Sequence, residues 1–283
     1  MYNLSQLFDK YENKRAIGSF NVHCLEMLAA MLEGAKEINA PIIIQTSLGT
    51  AKYIGFDLLV SSMHTLSNRY NIDTCLHLDH CNDIESIKNA IDAGYTSVMY
   101  DGSDLPLKEN IENTKIVTKY AHERNVSVEG EVGSIGGVED DLSVDENSSQ
   151  YTNLDEALMF VNETNVDALA VAIGTTHGQF TSKAKINYDL LSDLTENLTG
   201  KTGLVLHGGT GVSDEDIKEC VQKGMKKINV GSELNKSYIE VINETFPPAL
   251  ANPLTSLRKL IIPANDKIKE VIKEKSLLFQ NNL

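Results

Sequence analysis

The chain has 283 residues and a mass of 31.1 kDa, a length that suits either two modest domains or one large barrel. Its 41% hydrophobic and 23% charged residues exclude disordered, collagen-like and disulfide-scaffold proteins. A formal net charge of −15 repels phosphate backbones, so we expect no nucleic-acid partner. No apolar run approaches the roughly 20 residues of a membrane span, and no signal-peptide pattern is visible. We therefore expect a cytoplasmic protein without a membrane partner.

Eight short apolar runs, each with the length and the Ile, Val and Leu content of a buried strand, recur along the chain. They cover residues 16–22, 41–46, 74–78, 96–100, 126–132, 168–173, 203–207 and 226–230. Stretches with helical spacing lie between them, for example at residues 25–38, 83–93, 107–123, 154–163, 188–197 and 214–223. Asn153 and Ser213 are N-cap residue types, and Gly94 and Gly224 are placed to end helices.

Strand-then-helix units in strict alternation, eight in all, predict an α/β fold, the (β/α)8 TIM barrel, with residues 1–283 as one domain. An open doubly wound sheet would not favour the number eight, and no GxGxxG pattern follows an early strand. We interpret residues 133–151, with their acidic run at 139–145, as a long loop after the fifth unit. Residues 253–283 are interpreted as an additional C-terminal helix.

Polar side chains of the types that bind metals follow several of the predicted strands, where this fold places its active sites. Three are histidines and three are carboxylates, namely His80, His177, His207, Asp79, Asp101 and Glu131. Three neutral imidazoles with an open fourth position are typical of a catalytic zinc or a similar divalent cation. Each histidine alone is more often structural, but their convergence beside carboxylates favours a metal site.

Asp79 and His80 are neighbours, and neighbours in a regular strand point to opposite faces. Both reach the barrel mouth only if the chain turns at this point, and we expect that it does. Asp79 would then lie beside the metal and act as an acid or a base. The alternative is a carboxylate that only orients a metal ligand.

Two segments, residues 208–213 and 229–232, carry glycine and lead into predicted helices after the seventh and eighth strands. Loops and helix N-termini at these two places form the recurrent phosphate site of the barrel fold. A divalent cation can polarise a ketone while a carboxylic acid moves a proton, so the parts suit a retro-aldol reaction. We expect the mouth to be locally positive and the acidity to lie mainly on the helix ring.

Seven segments, in order, resemble the class II, zinc-dependent ketose-bisphosphate aldolase family over essentially the whole chain. They read GSFNV at 18–22, LDH at 78–80, VMYDGS at 98–103, SVEGEVG at 127–133, AIGTTHG at 172–178, LVLHGGTG at 204–211 and KINV at 227–230. The resemblance implies reversible cleavage of a ketose 1,6-bisphosphate to dihydroxyacetone phosphate and glyceraldehyde 3-phosphate. It also implies a homodimer or homotetramer, and a monovalent cation, Na⁺ or K⁺, that relatives often use.

By this resemblance the three histidines at 80, 177 and 207 would be zinc ligands, and Asp79 would be the catalytic proton donor. Asp101 and Glu131 match positions that hold a second or displaced metal in relatives. The dihydroxyacetone phosphate site would comprise Gly178, Gly208, Gly209, Thr210, Asn229, Val230, Gly231 and Ser232, and Asn21 matches a residue near the substrate.

Within the family, residues 137–144 look most like the tagatose-bisphosphate branch, and residues 179–182 lack the Tyr-Lys-Gly of many fructose-type relatives. Asp104 and Gly130 depart from the usual histidine and alanine, so the sugar stays open between tagatose and fructose. Two further hypotheses stay open as well. One is a Schiff-base aldolase with Lys226 or Lys227 as nucleophile, and the second is a barrel subunit that needs a companion chain.

Overall fold

The computed structural model describes residues 1–12, 15–139, 142–144, 150–176, 178, 185–250 and 256–280. Within them, eight parallel strands close a barrel in the order β1-β10-β9-β8-β5-β4-β3-β2. These strands are β1 Ile17–Asn21, β2 Ile42–Thr46, β3 Thr74–Cys81, β4 Ser97–Tyr100, β5 Ser127–Val132, β8 Ala168–Val171, β9 Gly203–Leu206 and β10 Met225–Val230. The predicted (β/α)8 TIM barrel is confirmed, and most predicted strand ends lie within a residue or two of the observed ones.

Helices surround the barrel in the described part of the chain. They are α1 Leu4–Lys10, α2 Leu25–Glu37, α3 Leu48–Ile54, α4 Phe56–Tyr70, α5 Ile84–Ala93, α6 Leu107–His122, α7 Leu154–Thr164, α8 Tyr188–Leu198, α9 Asp214–Gln222, α10 Ser232–Leu250 and α11 Arg258–Phe279. The additional C-terminal helix is α11, which packs on α2 and α10. No described helix combines the length and apolarity needed to cross a membrane.

Local sequence signals account for the ends of several helices. The Asn153 and Ser213 side chains accept the amides of Glu156 and Asp216, three residues on, as N-caps. Gly94 and Gly224 have φ of 110° and 113°, which non-glycine residues rarely adopt, and each follows a helix.

The barrel strands send apolar side chains outward to the helices, and the interior is divided into two layers. Phe20, Ile44 and Leu78 lie in the outer core with the helix side chains. The lower interior is apolar, and Leu7 of α1 packs there against Val205 and other strand residues, so the N-terminal helix closes the bottom of the barrel. The upper interior, toward the carboxyl ends of the strands, is polar, which places the site at that end.

The segment after β5 corrects one interpretation. Residues 133–151 are not a loop throughout, because β6 Gly137–Glu139 and β7 Leu142–Val144 pair antiparallel. An isolated bridge between Ser134 and Gln150 precedes this hairpin at its base. The sequence analysis did not predict these two short strands, because the acidic residues at 139–145 interrupt the alternation of apolar and polar residues that identifies a strand.

Candidate active site

The end of β3 turns where the sequence analysis expected. His80 has a φ of 45°, in the left-handed region, and the register with β4 shifts between Leu78 and Cys81. A non-glycine residue in this region is uncommon and marks a constrained site. The turn brings Asp79 and His80 to the barrel mouth together.

Two of the predicted metal ligands lie against each other. The His80 Nε2 and His207 Nδ1 atoms are 2.8 Å apart. The second ring nitrogen of each residue faces a carboxylate, because His80 Nδ1 lies 2.7 Å from Asp101 Oδ2 and His207 Nε2 lies 2.8 Å from Glu129 Oε1. Carboxylates behind the ring nitrogens orient histidines for metal binding. His177 lies outside the described residues.

The two imidazoles differ in charge. Burial disfavours a proton on His80, but the Asp79 and Asp101 carboxylates outweigh it and raise its pKa well above the usual value. Burial and the charge of His80 lower the pKa of His207 to about 4. His80 therefore donates its Nε2 proton to His207 Nδ1, and a metal at these nitrogens would displace that proton.

Asp79 is buried, with 3% of its surface exposed, among donors from the neighbouring strands. Its Oδ2 accepts a hydrogen bond from Gln45 Nε2 at 2.9 Å, and the Asn229 amide lies 3.4 Å from both oxygens. Burial alone would raise the Asp79 pKa, but the charge of His80, the His77 hydrogen bond and Lys227 bring it well below the usual value. Asp79 is therefore an ionised carboxylate that can accept a proton.

The site fits a divalent cation. Ligand atoms of Asp79, His80 and His207 lie within 4.8 Å of one another, and so do those of His80, Asp101 and Glu131. Glu131 Oε2 is buried without a hydrogen-bond partner among the described residues. Burial and the Asp101 carboxylate raise the pKa of Glu131 well above its usual value. A cation would satisfy this oxygen and relieve both effects.

The expectation of a locally positive mouth rested on a divalent cation and on helix N-termini, and it stays a prediction. Among the described side chains, Asp79, Asp101, Glu129 and Glu131 meet at the site, where His80 faces Asp101 and Lys227 donates to Glu129. The net negative charge of the chain thus extends into the site, and a metal would have to supply the positive charge that an anionic substrate needs.

The segments predicted to bind phosphate lie together at the mouth. Gly208 has a φ of 67°, and the Gly209 amide donates to the Asn229 carbonyl at 3.3 Å, which ties the β9 loop to β10. Gly178 has a φ of 83°. Backbone amides of these loops other than that of Gly209 are the candidate groups for binding an anion. Thr210 lies in the loop after β9, and Gly231 directly precedes α10, which begins at Ser232.

Two further observations bear on that prediction. The side chain of Val230 packs in the outer core, so only its backbone is available to a ligand. At the start of α9, Ser213 Oγ accepts the Asp216 amide, so this amide is already used. Three acidic residues also occupy the first turn of α9 and match its dipole.

Several polar residues of the site were absent from the sequence-based set. Asn21, which was predicted, accepts from Gln45 Nε2 at 2.6 Å, but Gln45 and Glu129 were missed, and Lys227 was considered only as a nucleophile. All three of these side chains have no exposed surface. The sequence did carry a signal for them, because each is a polar residue within an apolar strand. A fully buried polar group needs a hydrogen-bond partner, so such a residue indicates a polar cluster inside the barrel.

The geometry also argues against the Schiff-base alternative. Lys227 is fully buried and its Nζ donates to Glu129 Oε2 at 2.8 Å, while Lys226 Nζ donates to the Glu12 carbonyl at 3.1 Å. A nucleophilic amine must reach the substrate, whereas both of these amines are hydrogen-bonded to other groups of the protein.

The barrel is closed and carries a cluster of histidines and carboxylates at the carboxyl ends of its strands. This arrangement is typical of a (β/α)8 barrel enzyme with a metal-binding active site. Residues 2–282 match the family described as Fructose-bisphosphate aldolase class-II. The chain is 39% identical over 279 residues to the fructose-bisphosphate aldolase of Staphylococcus aureus, with 95% of this chain and 93% of the relative covered. It is 40% identical over 281 residues to that of Staphylococcus epidermidis, with the same coverage.

Solved structures agree. The YdjI aldolase from Escherichia coli superposes with a TM-score of 0.84 at 30% identity, covering 98% of this chain and 97% of that one. The fructose-bisphosphate aldolase of Campylobacter jejuni has a TM-score of 0.81 at 20% identity, covering 99% and 95%, and shares the fold.

The chain belongs to the class II fructose-bisphosphate aldolase family. It is an aldolase, a lyase that acts on a carbon-carbon bond. The predicted family is thus confirmed, and the tagatose branch within it is not, because these Staphylococcus relatives carry the fructose name.

Proposed function

We propose that this protein is a zinc-dependent aldolase that reversibly cleaves a ketose 1,6-bisphosphate to dihydroxyacetone phosphate and glyceraldehyde 3-phosphate. The observation that carries the proposal is the pairing of His80 with His207 beside the buried carboxylate of Asp79. Residues 137–144 favour tagatose 1,6-bisphosphate as the substrate, and the names of the relatives favour fructose 1,6-bisphosphate.

The proposed zinc ligands are His80, His207 and His177, with Asp101 and Glu131 as further ligands for a second or displaced position. When bound there, a divalent cation would polarise the substrate carbonyl. Asp101 and Glu129 would orient the two imidazoles, because each carboxylate lies at the ring nitrogen that is not proposed to bind the metal.

Asp79 is the proposed acid and base. In the cleavage direction its ionised carboxylate takes the proton of the substrate hydroxyl at the bond that breaks, and in condensation it returns that proton. The hydrogen bond from Gln45 fixes the carboxylate in place, and the neighbouring Asn229 and Asn21 are the proposed contacts to substrate hydroxyls. A fixed carboxylate lowers the barrier by preorganisation.

The phosphate of the dihydroxyacetone half would be bound by residues 208–210, Gly178 and 229–232. Gly208 and Gly178 have positive φ, which favours glycine, and neither carries a side chain that could cover this surface. A monovalent cation, Na⁺ or K⁺, is proposed beside these carbonyl-rich turns. We also propose that residues 1–283 form one domain, that the protein acts in the cytoplasm, and that it assembles as a homodimer or homotetramer.

The test is a comparison of kcat/KM for fructose and tagatose 1,6-bisphosphate on the purified, zinc-loaded protein. The proposal expects cleavage of at least one of them by this chain alone, and the larger kcat/KM assigns the sugar. Cleavage of neither would overturn it, and turnover only after addition of a companion chain would establish the assisted alternative.

A further inference from the structure

A fully buried lysine lies in the upper interior of the barrel, and the only role described for it so far is its contribution to the low pKa of Asp79. Lys227 is on β10 with no exposed surface. Its Nζ lies 2.8 Å from Glu129 Oε2 and 4.0 Å from Asp79 Oδ1. A buried ammonium is costly, so its retention points to a role beyond stability.

Lys227, Glu129 and His207 form a directed chain of hydrogen bonds. An ammonium only donates, so Glu129 Oε2 accepts from Lys227. The second oxygen, Oε1, faces His207 Nε2 at 2.8 Å and also accepts. His207 Nε2 therefore carries the ring proton, and its Nδ1 presents a lone pair toward His80 Nε2.

We propose that Lys227 is a positioning residue for the metal site, and that it holds Glu129 so that His207 presents Nδ1 as a metal ligand. The inference deepens the proposed function and depends on the metal site described there. The distances favour action through Glu129, at 2.8 Å, over action through Asp79, at 4.0 Å.

Two competing roles for Lys227 predict different results. If Lys227 acted only as a positive charge near the cation, removing it would strengthen metal binding. If Lys227 only filled space in the core, its loss would lower the melting temperature, and the folded variant would bind zinc with unchanged affinity. The positioning role predicts weaker metal binding, because the carboxylate that orients His207 loses its anchor.

The experiment measures zinc affinity by competition with a chromophoric chelator, together with the melting temperature, for Lys227→Met. We expect the zinc dissociation constant to rise about 10- to 100-fold, the usual effect of losing an outer partner of a metal ligand. The matched control is Lys226→Met, whose Nζ contacts only the Glu12 carbonyl among the described residues, and it should bind zinc like the wild type.

A second pair of variants keeps the proposal testable if Lys227→Met does not fold. In Glu129→Gln, the amide oxygen is drawn to Lys227, which turns the amide NH₂ toward His207 Nε2 and reverses the hydrogen bond there. This variant should also bind zinc weakly. Adding Lys227→Met frees the amide oxygen for His207, so the double variant should bind zinc more tightly than Glu129→Gln alone.

The deciding result is that Lys227→Met has opposite effects in two backgrounds. It should weaken zinc binding in the wild-type protein and strengthen zinc binding in the Glu129→Gln variant. Stronger or unchanged binding in Lys227→Met would overturn the positioning role. Failure of the double variant to exceed Glu129→Gln would overturn it as well. Absence of zinc binding by the wild-type protein would instead reject the proposed metal site itself.

Discussion

The contact between the β9 loop and β10 makes Gly209→Ala an informative substitution. A Cβ at Gly209 would lie 2.7 Å from the Asn229 carbonyl oxygen and 2.8 Å from Ile228 Cγ2. Ordinary contacts begin at 3.4 Å, so the two segments must separate by about 0.7 Å. Because a 1 Å misplacement in an active site costs roughly 100-fold, we expect kcat/KM to fall about 10- to 100-fold.

The control is Gly200→Ala, which lies at the opposite end of β9. Gly200 has a φ of 78° and nothing within 4 Å of an added Cβ, so alanine there meets only backbone strain of about 1–2 kcal/mol. Steady-state kinetics and thermal unfolding of both variants separate the two effects. Gly200→Ala should lose stability and keep kcat/KM, and Gly209→Ala should lose kcat/KM. Equal kcat/KM in the two variants would refute the view that this close approach positions the substrate.

Three further predictions concern single side chains. Asp79→Asn should lower kcat by about 10²- to 10⁴-fold while zinc content, measured by atomic absorption, stays near that of the wild type; a small loss would reject Asp79 as acid and base. Glu131→Gln should keep one zinc per chain but weaken binding measured by chelator competition, since Oε2 is the buried oxygen without a partner among the described residues; unchanged affinity would remove Glu131 from the ligand set. His122 has its pKa raised by the hydrogen bond to Asp167, so its stabilisation is complete below the ordinary value of 6.5 and is lost as pH rises through the higher folded value. The unfolding free-energy difference between wild type and His122→Gln should therefore shrink as the pH rises above 6.5, and a constant difference would contradict the assignment.

The barrel could be predicted because each unit repeats a strong local signal. Strands such as Ile42–Thr46 are apolar runs of buried-strand length, and helices such as Ile84–Ala93 have one apolar face. Gly130 stands where the family usually has alanine, and the structure gives a reason. A Cβ at this position would lie 2.6 Å from the Phe160 ring of α7. The bounds of α3 and α4 were not predicted from the sequence, because only one residue, Gly55, separates the two helices.

Part of the site was likewise predictable from position in the repeat. Asp79 and His80 follow a strand, so their place at the mouth could be deduced. The partners within the barrel could not, because which strand residues face each other depends on register and tilt across the closed sheet. Glu129 and Lys227 are 98 residues apart in sequence, and only barrel closure brings them to 2.8 Å.

Metal dependence of cleavage tests the central claim most directly. The protein is stripped with a chelator, assayed with fructose and tagatose 1,6-bisphosphate, reloaded with zinc and assayed again, beside His80→Ala carried through the same steps. The account predicts loss of activity on stripping, recovery with zinc in the wild type, and neither bound zinc nor recovery in His80→Ala. Full activity of the stripped protein, with a covalent adduct trapped by borohydride, would contradict it.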